Sequence, residues 1–105
     1  MKDAIIKHLK AQIGDVEPDM YEELYGEYRS TASERIAQLE ENLATMDMPE
    51  LKRIAHALKG EAMMVGDVSM MEAALAFEAC TKNGDEAGCR QQFEVIQKSF
   101  SQLED

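Results

Sequence analysis

Residues that interrupt helices, and their positions, constrain this chain more than any other feature. Its two prolines, Pro18 and Pro49, each lie where a helix can begin, because the first helical turn does not need the N–H that proline lacks. Between the interruptions, apolar residues recur every three or four positions, and runs that alternate like strands are absent. The chain is therefore predicted to be helical almost throughout.

Five helices follow from these interruptions. Gly14 and Gly66 are expected to end the first and the third, and the Asn83-Gly84 pair to end the fourth. The predicted helices cover approximately residues 2–13, 19–46, 49–65, 69–82 and 86–103. Because short loops make consecutive helices antiparallel, the expected fold is all-α. It is an up-down antiparallel four-helix bundle with an additional short N-terminal helix, a single domain over residues 1–105.

Charge and hydropathy exclude several classes of protein. A formal charge of −10 argues against binding to nucleic acid or to an anionic membrane surface, since both require a basic face. No apolar run approaches the roughly 20 residues of a membrane span. The charged start "MKDAIIKHLK" does not resemble a secretory signal. We therefore expect a soluble cytoplasmic protein.

The cysteines and histidines give little support for a metal or redox site. Cys80 and Cys89 do not have the spacing of a metal-binding or redox pair, and free thiols are the expected state in a reducing cytosol. A metal-binding bundle would need repeated Glu-x-x-His segments, whereas His8 and His56 are the only histidines. No role is assigned to the cysteines, and His8 is interpreted as an ordinary surface residue.

The third helix carries an unusual set of residues on its outward face. When it is projected at about 100° per residue, an apolar stripe forms that must face the bundle interior. The stripe consists of Leu51, Ile54, Ala55, Leu58, Ala62 and Val65. His56 lies about 140–150° from the centre of the stripe, so it should point outward. The same outward side contains Lys52, Arg53, Lys59, Gly60 and Met63.

Four of these residues have a chemical use at a docking site. A neutral imidazole is a good nucleophile near pH 7 and can carry a phosphoryl group on nitrogen. The nearby Lys59 would offer positive charge to phosphoryl oxygens, and Gly60 would let another protein approach His56 closely. Met63 would give adaptable apolar contact. Among the methionines at 46, 48, 63, 64, 70 and 71, it alone is predicted to be exposed, and the others to be core filler.

The segment "AHALKGEAMMVG", residues 55–66, resembles the signature of histidine-containing phosphotransfer (HPt) domains. That signature has a histidine, then Leu-Lys-Gly, and a second glycine ten positions after the histidine. The segments "LAFEAC" and "YEELYGEYRSTASERIAQLEENLATMD" are also similar to that family, so the resemblance covers most of the chain. It implies a helical bundle in which His56 is the phosphoacceptor and Lys59 stabilises the transferring group. Gly60 would give clearance for the partner, and Gly66 would form the turn into the fourth helix.

The resemblance also places Glu78 opposite His56, where family members often have a polar residue. Glu78 would accept a hydrogen bond from one ring nitrogen and leave the other free to attack, and Lys82 would lie at the rim of the site. Glu61 follows Gly60 where the family commonly has serine. It projects away from His56, so we expect it to change the partner surface modestly and the chemistry not at all.

The function implied by the resemblance is that of a phosphoryl carrier in a multistep His–Asp phosphorelay of two-component signal transduction. Its partners would be receiver domains of a hybrid histidine kinase and of response regulators, which would hold the aspartate and Mg²⁺, whereas this chain would bind no cofactor. It contains no Gly-rich nucleotide loop, so it should be neither a kinase nor another enzyme. We expect a stand-alone, monomeric carrier. The alternative is a module that binds receivers or other proteins without carrying phosphate and does not need His56.

Overall fold

The computed structural model describes residues 1–104 and consists of α-helices joined by short loops. Their bounds are α1 Lys2–Ile13, α2 Pro18–Thr45, α3 Met48–Val65, α4 Val68–Lys82 and α5 Glu86–Ser101. The all-α prediction is confirmed, and each predicted helix end lies within two residues of the observed one. No strand occurs in this described part of the chain, and none of its helices has the length and hydropathy to cross a bilayer.

Aspartate side chains start three of the helices. Asp47, Asp67 and Asp85 precede α3, α4 and α5, and each accepts a hydrogen bond from the backbone N–H three residues later. These N-caps satisfy donors that the first helical turn leaves unpaired, and each typically contributes about 1 kcal/mol. At the other end of α3, Gly66 has a φ of 74°, a left-handed conformation that glycine adopts without a steric penalty. Local sequence therefore sets the length of α3, the helix that carries His56.

The apolar stripe predicted for α3 lies in the bundle core, where α2 and α4 pack against it. Its completely buried members are Leu51, Ile54, Ala55, Leu58 and Ala62. Burial of each leucine or isoleucine contributes roughly 1.5–3 kcal/mol relative to exposure. A rotation of α3 that turned His56 inward would expose this stripe, so the core fixes the orientation of the helix.

Helix α1 crosses the C-terminal end of α3. Its Ile5 and Leu9 side chains are buried in the core, and the ring of His8 lies against the backbone of Gly66. A Cβ at Gly66 would lie only 2.5 Å from His8 Cγ. His8 is half-buried, so its interpretation as an ordinary surface residue is wrong. The reason is that the contact joins residues far apart in the chain, which no helical pattern relates.

The two cysteines belong to the hairpin of α4 and α5. Cys80 is half-buried, Cys89 is buried, and both are free thiols. Burial raises the pKa of both thiols, to about 11 for Cys89. Neither cysteine is therefore a reactive thiolate at neutral pH.

Candidate functional site

The outward face of α3 is open to solvent around His56. The His56 side chain is 67% exposed, as the helical projection predicts, and Lys52 and Arg53 are exposed on the preceding turn. One turn later, a Cβ placed on Gly60 would meet no atom within 4 Å. Met63, two turns from His56, is 57% exposed. A second protein can therefore approach the imidazole over Gly60 without displacing a side chain.

The His56 ring is hydrogen-bonded to a buried carboxylate on α4. The Glu78 side chain is only 4% exposed, and its Oε2 lies 2.9 Å from His56 Nδ1. An ionised carboxylate can only accept hydrogen bonds, so Nδ1 carries the proton and donates to Glu78. In the neutral form of the ring the lone pair is then on Nε2. The contact is the one that the resemblance implies, and it selects the tautomer of the ring.

Lys59 completes a three-residue cluster with Glu78 and His56. Its Nζ lies 3.0 Å from Glu78 Oε1, and the Lys59 side chain is only 23% exposed. Both carboxylate oxygens of Glu78 are thus occupied, one by the ammonium and one by the imidazole. Helical projection places Lys59 beside His56 on the outward face, but it does not reveal that the ammonium is directed to a carboxylate on α4.

Glu78 is ionised although it is buried. Desolvation by burial raises the pKa of the Glu78 carboxyl, whereas the hydrogen bonds from Lys59 and His56 lower it, and the net result is a pKa below the usual value. Exclusion of water strengthens each of these interactions. At neutral pH the cluster therefore places a carboxylate between an ammonium and the imidazole ring.

The remaining predicted cations lie around the cluster without joining it. Arg53 donates from Nε to Glu50 Oε1 over 3.0 Å, on its own helix. Lys82 is exposed about one turn beyond Glu78 on α4, at the expected rim. Among residues 1–104, neither Lys52 nor Lys82 has a hydrogen-bond or ion-pair partner. The rim is therefore positively charged, but its cations make no contact with the imidazole.

Glu61 forms an ion pair with Arg35 on a side of α3 that faces away from the cluster. Arg35 of α2 donates to it from Nη2 over 2.8 Å and from Nε over 3.1 Å. Such a bidentate pair links α2 to α3 with a defined geometry. The expectation that Glu61 points away from His56 is confirmed. The sequence does not identify Arg35 as its partner, because an arginine on a long helix gives no local sign of which helix it meets.

The C-terminal end of α3 borders an apolar groove. Met64 is 76% exposed, so the prediction that Met63 alone is exposed among the methionines considered is wrong. A groove of about 680 Å³ lies between α1, α2 and α3, and its lining includes Leu9, Ile13 and Leu24 as well as both methionines. The methionines stay in solvent because no described helix covers this side of the last turn of α3.

The two histidines do not share a metal site. His8 lies against Gly66. His56, about three turns before Gly66 along α3, contacts Glu78 instead. Within residues 1–104, no three His, Cys, Asp or Glu side chains are grouped so that they could hold a metal ion. The cation that balances Glu78 is instead the ammonium of Lys59.

Comparison with known proteins relates most of this fold to a family. The family model described as the Hpt domain matches residues 23–105, a span that contains most of α2 and the whole of α3, α4 and α5. It includes His56, Lys59, Gly60 and Glu78, whereas α1 lies before it. No match was found among curated proteins or among solved structures.

Proposed function

We propose, because this chain belongs to the Hpt domain family, that it is a phosphoryl carrier in a multistep His–Asp phosphorelay. Hpt domains are phosphotransfer proteins of two-component systems that interact with receiver domains, and they are not kinases. In the proposed reaction His56 accepts the group from the aspartyl phosphate of one receiver domain and passes it to the aspartate of another. The donor receiver would belong to a hybrid histidine kinase and the acceptor to a response regulator.

The observation that carries this proposal is that the ring of His56 is held yet exposed. Nδ1 is bound to Glu78 at 2.9 Å while the side chain is 67% exposed, so Nε2 is the atom available to a partner. In the forward step, Nε2 attacks phosphorus, the P–O bond to the aspartate breaks, and the aspartate leaves as a carboxylate. The ring gains positive charge as the N–P bond forms, and the Glu78 carboxylate stabilises that charge through Nδ1–H.

The partner would approach over Gly60 and Met63. Gly60 leaves space beside the ring, and the exposed Met63 offers adaptable apolar contact. Lys52 and Lys82 give this face positive charge in a chain of net charge −10, which complements an acidic phosphorylation site. Arg53, whose charge is balanced by Glu50, would add hydrogen-bond donors there. Mg²⁺ held by the receiver would neutralise the phosphoryl oxygens, and this chain would supply no cofactor. We further expect the carrier to act as a monomer in the cytoplasm.

Transfer from a phosphorylated receiver domain tests the proposal. The wild-type chain should gain the mass of one phosphoryl group, in an acid-labile form, when it is incubated with that receiver and Mg²⁺. His56→Gln should keep its helical circular-dichroism spectrum, because the ring is exposed, and should gain no mass. His8→Gln, the same substitution at the other histidine, is the matched control and should be labelled like wild type.

Two outcomes would contradict the proposal. Equal labelling of His56→Gln and wild type would place the acceptor elsewhere. Receiver binding by a wild-type chain that never gains phosphate would favour a second function, a non-phosphorylated interaction module. The exposed Met63 and Met64 beside the apolar groove favour such a module, and His56→Gln should then bind the receiver as tightly as wild type does.

A further inference from the structure

The apolar groove between α1, α2 and α3 exposes side chains that no other part of residues 1–104 covers. The groove has a volume of about 680 Å³, and Met64, Ile13 and Leu24 belong to its lining. Met64 is 76% exposed and Ile13 is 45% exposed, although both are apolar. Covering apolar surface removes it from water, which is favourable in proportion to the area covered. A contiguous exposed patch of this kind is typical of an interaction site.

The charge that lines this groove is negative. Of residues 1–104, Glu27 and Glu61 contribute carboxylates to the lining, and no lysine or arginine does. The charge of Glu61 is balanced by Arg35. Glu27 is exposed and has no hydrogen-bond or ion-pair partner in the described part of the chain, and Glu23 is exposed one turn before it on α2. A segment that occupies the groove is therefore expected to carry positive charge.

The chain itself shows what kind of segment the N-terminal half of α2 binds. Helix α1 is amphipathic, with its apolar side buried against the bundle, and it contains three lysines and one aspartate. Lys2 pairs with Glu22 of α2 at 2.8 Å, and the Lys10 ammonium lies 5.6 Å from the centre of the Tyr21 ring. The groove lies beside the same half of α2. A second basic amphipathic helix would find the same combination of apolar and acidic groups there.

We propose that the groove between α1, α2 and α3 binds a basic amphipathic helix of a partner protein. The apolar side chains of that helix contact Met64, Ile13 and Leu24, and its cations lie near Glu27 and Glu23. Helices commonly dock into apolar grooves in this way, and a methionine at the edge adapts to different apolar side chains.

The groove is distinct from the surface around His56. Met64 lies about two turns beyond His56 on α3 and about 80° further around the helix. The rim around His56 is positively charged through Lys52 and Lys82, whereas the groove is negatively charged. The two surfaces therefore suit partners of opposite charge, and a helix in the groove does not depend on phosphoryl transfer.

Binding of a synthetic peptide measures the proposed docking directly. The probe is a fluorescein-labelled peptide of about 15 residues, with leucines on one helical face and lysines on the other. Its control carries glutamates in place of the lysines. Fluorescence anisotropy should show that the wild-type chain binds the lysine peptide at least about 10-fold more tightly than the glutamate peptide, and equal binding would contradict the proposal. Neither peptide carries phosphate or needs a receiver, so a failure here is distinguishable from a failure of the proposed function.

Substitutions in the groove test whether the lysine peptide binds there. Met64→Gln should weaken its binding by about 5- to 20-fold, because apolar contact is lost. Glu27→Gln should weaken it by about 2- to 5-fold, because an unpaired carboxylate is lost. Val95→Gln and Glu94→Gln, both at exposed positions on α5, are the matched controls and should bind like wild type. Equal losses in groove and control variants, or no loss in Met64→Gln, would overturn the proposal, since the peptide would then bind the acidic surface at large.

Other occupants of the groove are recognised by separate measurements on the same variant. The proposal expects Met64→Gln to bind a receiver domain as tightly as wild type does. If this variant weakened receiver binding as much as peptide binding, the groove would belong to the receiver-docking surface and the proposal would be wrong. If wild type sedimented as a dimer and Met64→Gln as a monomer, the groove would be an interface between two copies of the chain, which would also overturn it.

Discussion

Gly60→Ala should make the protein more stable and the proposed transfer slower. Gly60 lies inside α3, where the absence of a side chain costs about 1 kcal/mol relative to alanine. A Cβ at this position would meet no atom within 4 Å, and the backbone has no positive φ, so neither packing nor strain opposes the gain. The free energy of unfolding should therefore rise by about 0.5–1 kcal/mol, which raises Tm by roughly 2–6 °C in a domain of this size.

The same empty space is what the proposed partner would use. Gly60 lies about one turn from His56 on α3, so a side chain there would occupy part of the gap through which an aspartyl phosphate reaches Nε2. A displacement of about 1 Å at a reacting centre can reduce the rate about 100-fold. We expect transfer to slow by about 3- to 10-fold in Gly60→Ala and by about 100-fold in Gly60→Gln, whose longer side chain extends towards the ring.

Thermal melts and single-turnover transfer kinetics measure the two effects separately. Gly26 provides the matched control, because it also lies inside a helix and a Cβ there would meet no atom within 4 Å. Gly26→Ala should stabilise the protein like Gly60→Ala, and Gly26→Gln should transfer at the wild-type rate. Wild-type transfer by Gly60→Gln would refute the reasoning, since the partner would then not pass over Gly60. An equal loss in Gly26→Gln would show that the effect is not local to the site.

Two further predictions concern contacts that only the folded chain makes. Gly66→Ala should lower the free energy of unfolding by roughly 2 kcal/mol, because alanine is disfavoured at positive φ and its Cβ would lie 2.5 Å from His8 Cγ. In urea unfolding, adding His8→Ala should recover part of that loss, and no recovery would mean that the clash does not contribute. Acid should destabilise wild type more than Glu78→Gln, because the folded state lowers the pKa of the Glu78 carboxyl. The stabilisation from Glu78 is complete above its unfolded-state pKa of about 4.3 and is lost as the pH falls through its folded-state value. Unfolding curves with the same pH dependence in both proteins would contradict an ionised, paired Glu78.

The helices and the outward direction of His56 are properties of neighbouring residues, so the sequence predicts them. Apolar periodicity, the two prolines and the turn glycines define where α1 to α5 begin and end. The same periodicity puts Leu58 in the core and His56 on the surface, since both belong to one helix of known pitch. The spacing of His56, Lys59 and Gly60 is likewise local, and it carries the family resemblance.

Contacts between helices depend on the rotation and shift of elements that are far apart in the chain, which no local pattern contains. Glu78 meets both His56 and Lys59 only because α4 packs on α3 in one register. A shift of one residue, about 1.5 Å along the axis and 100° around it, would separate them. The ring of His8 lies on Gly66 for the same reason, since α1 is placed by the core that it helps to cover. The sequence by itself determined which side chains α3 presents to solvent. The packed core decided that a buried carboxylate joins two of them, because only close packing brings that carboxylate within hydrogen-bonding distance and removes the water that would otherwise solvate it.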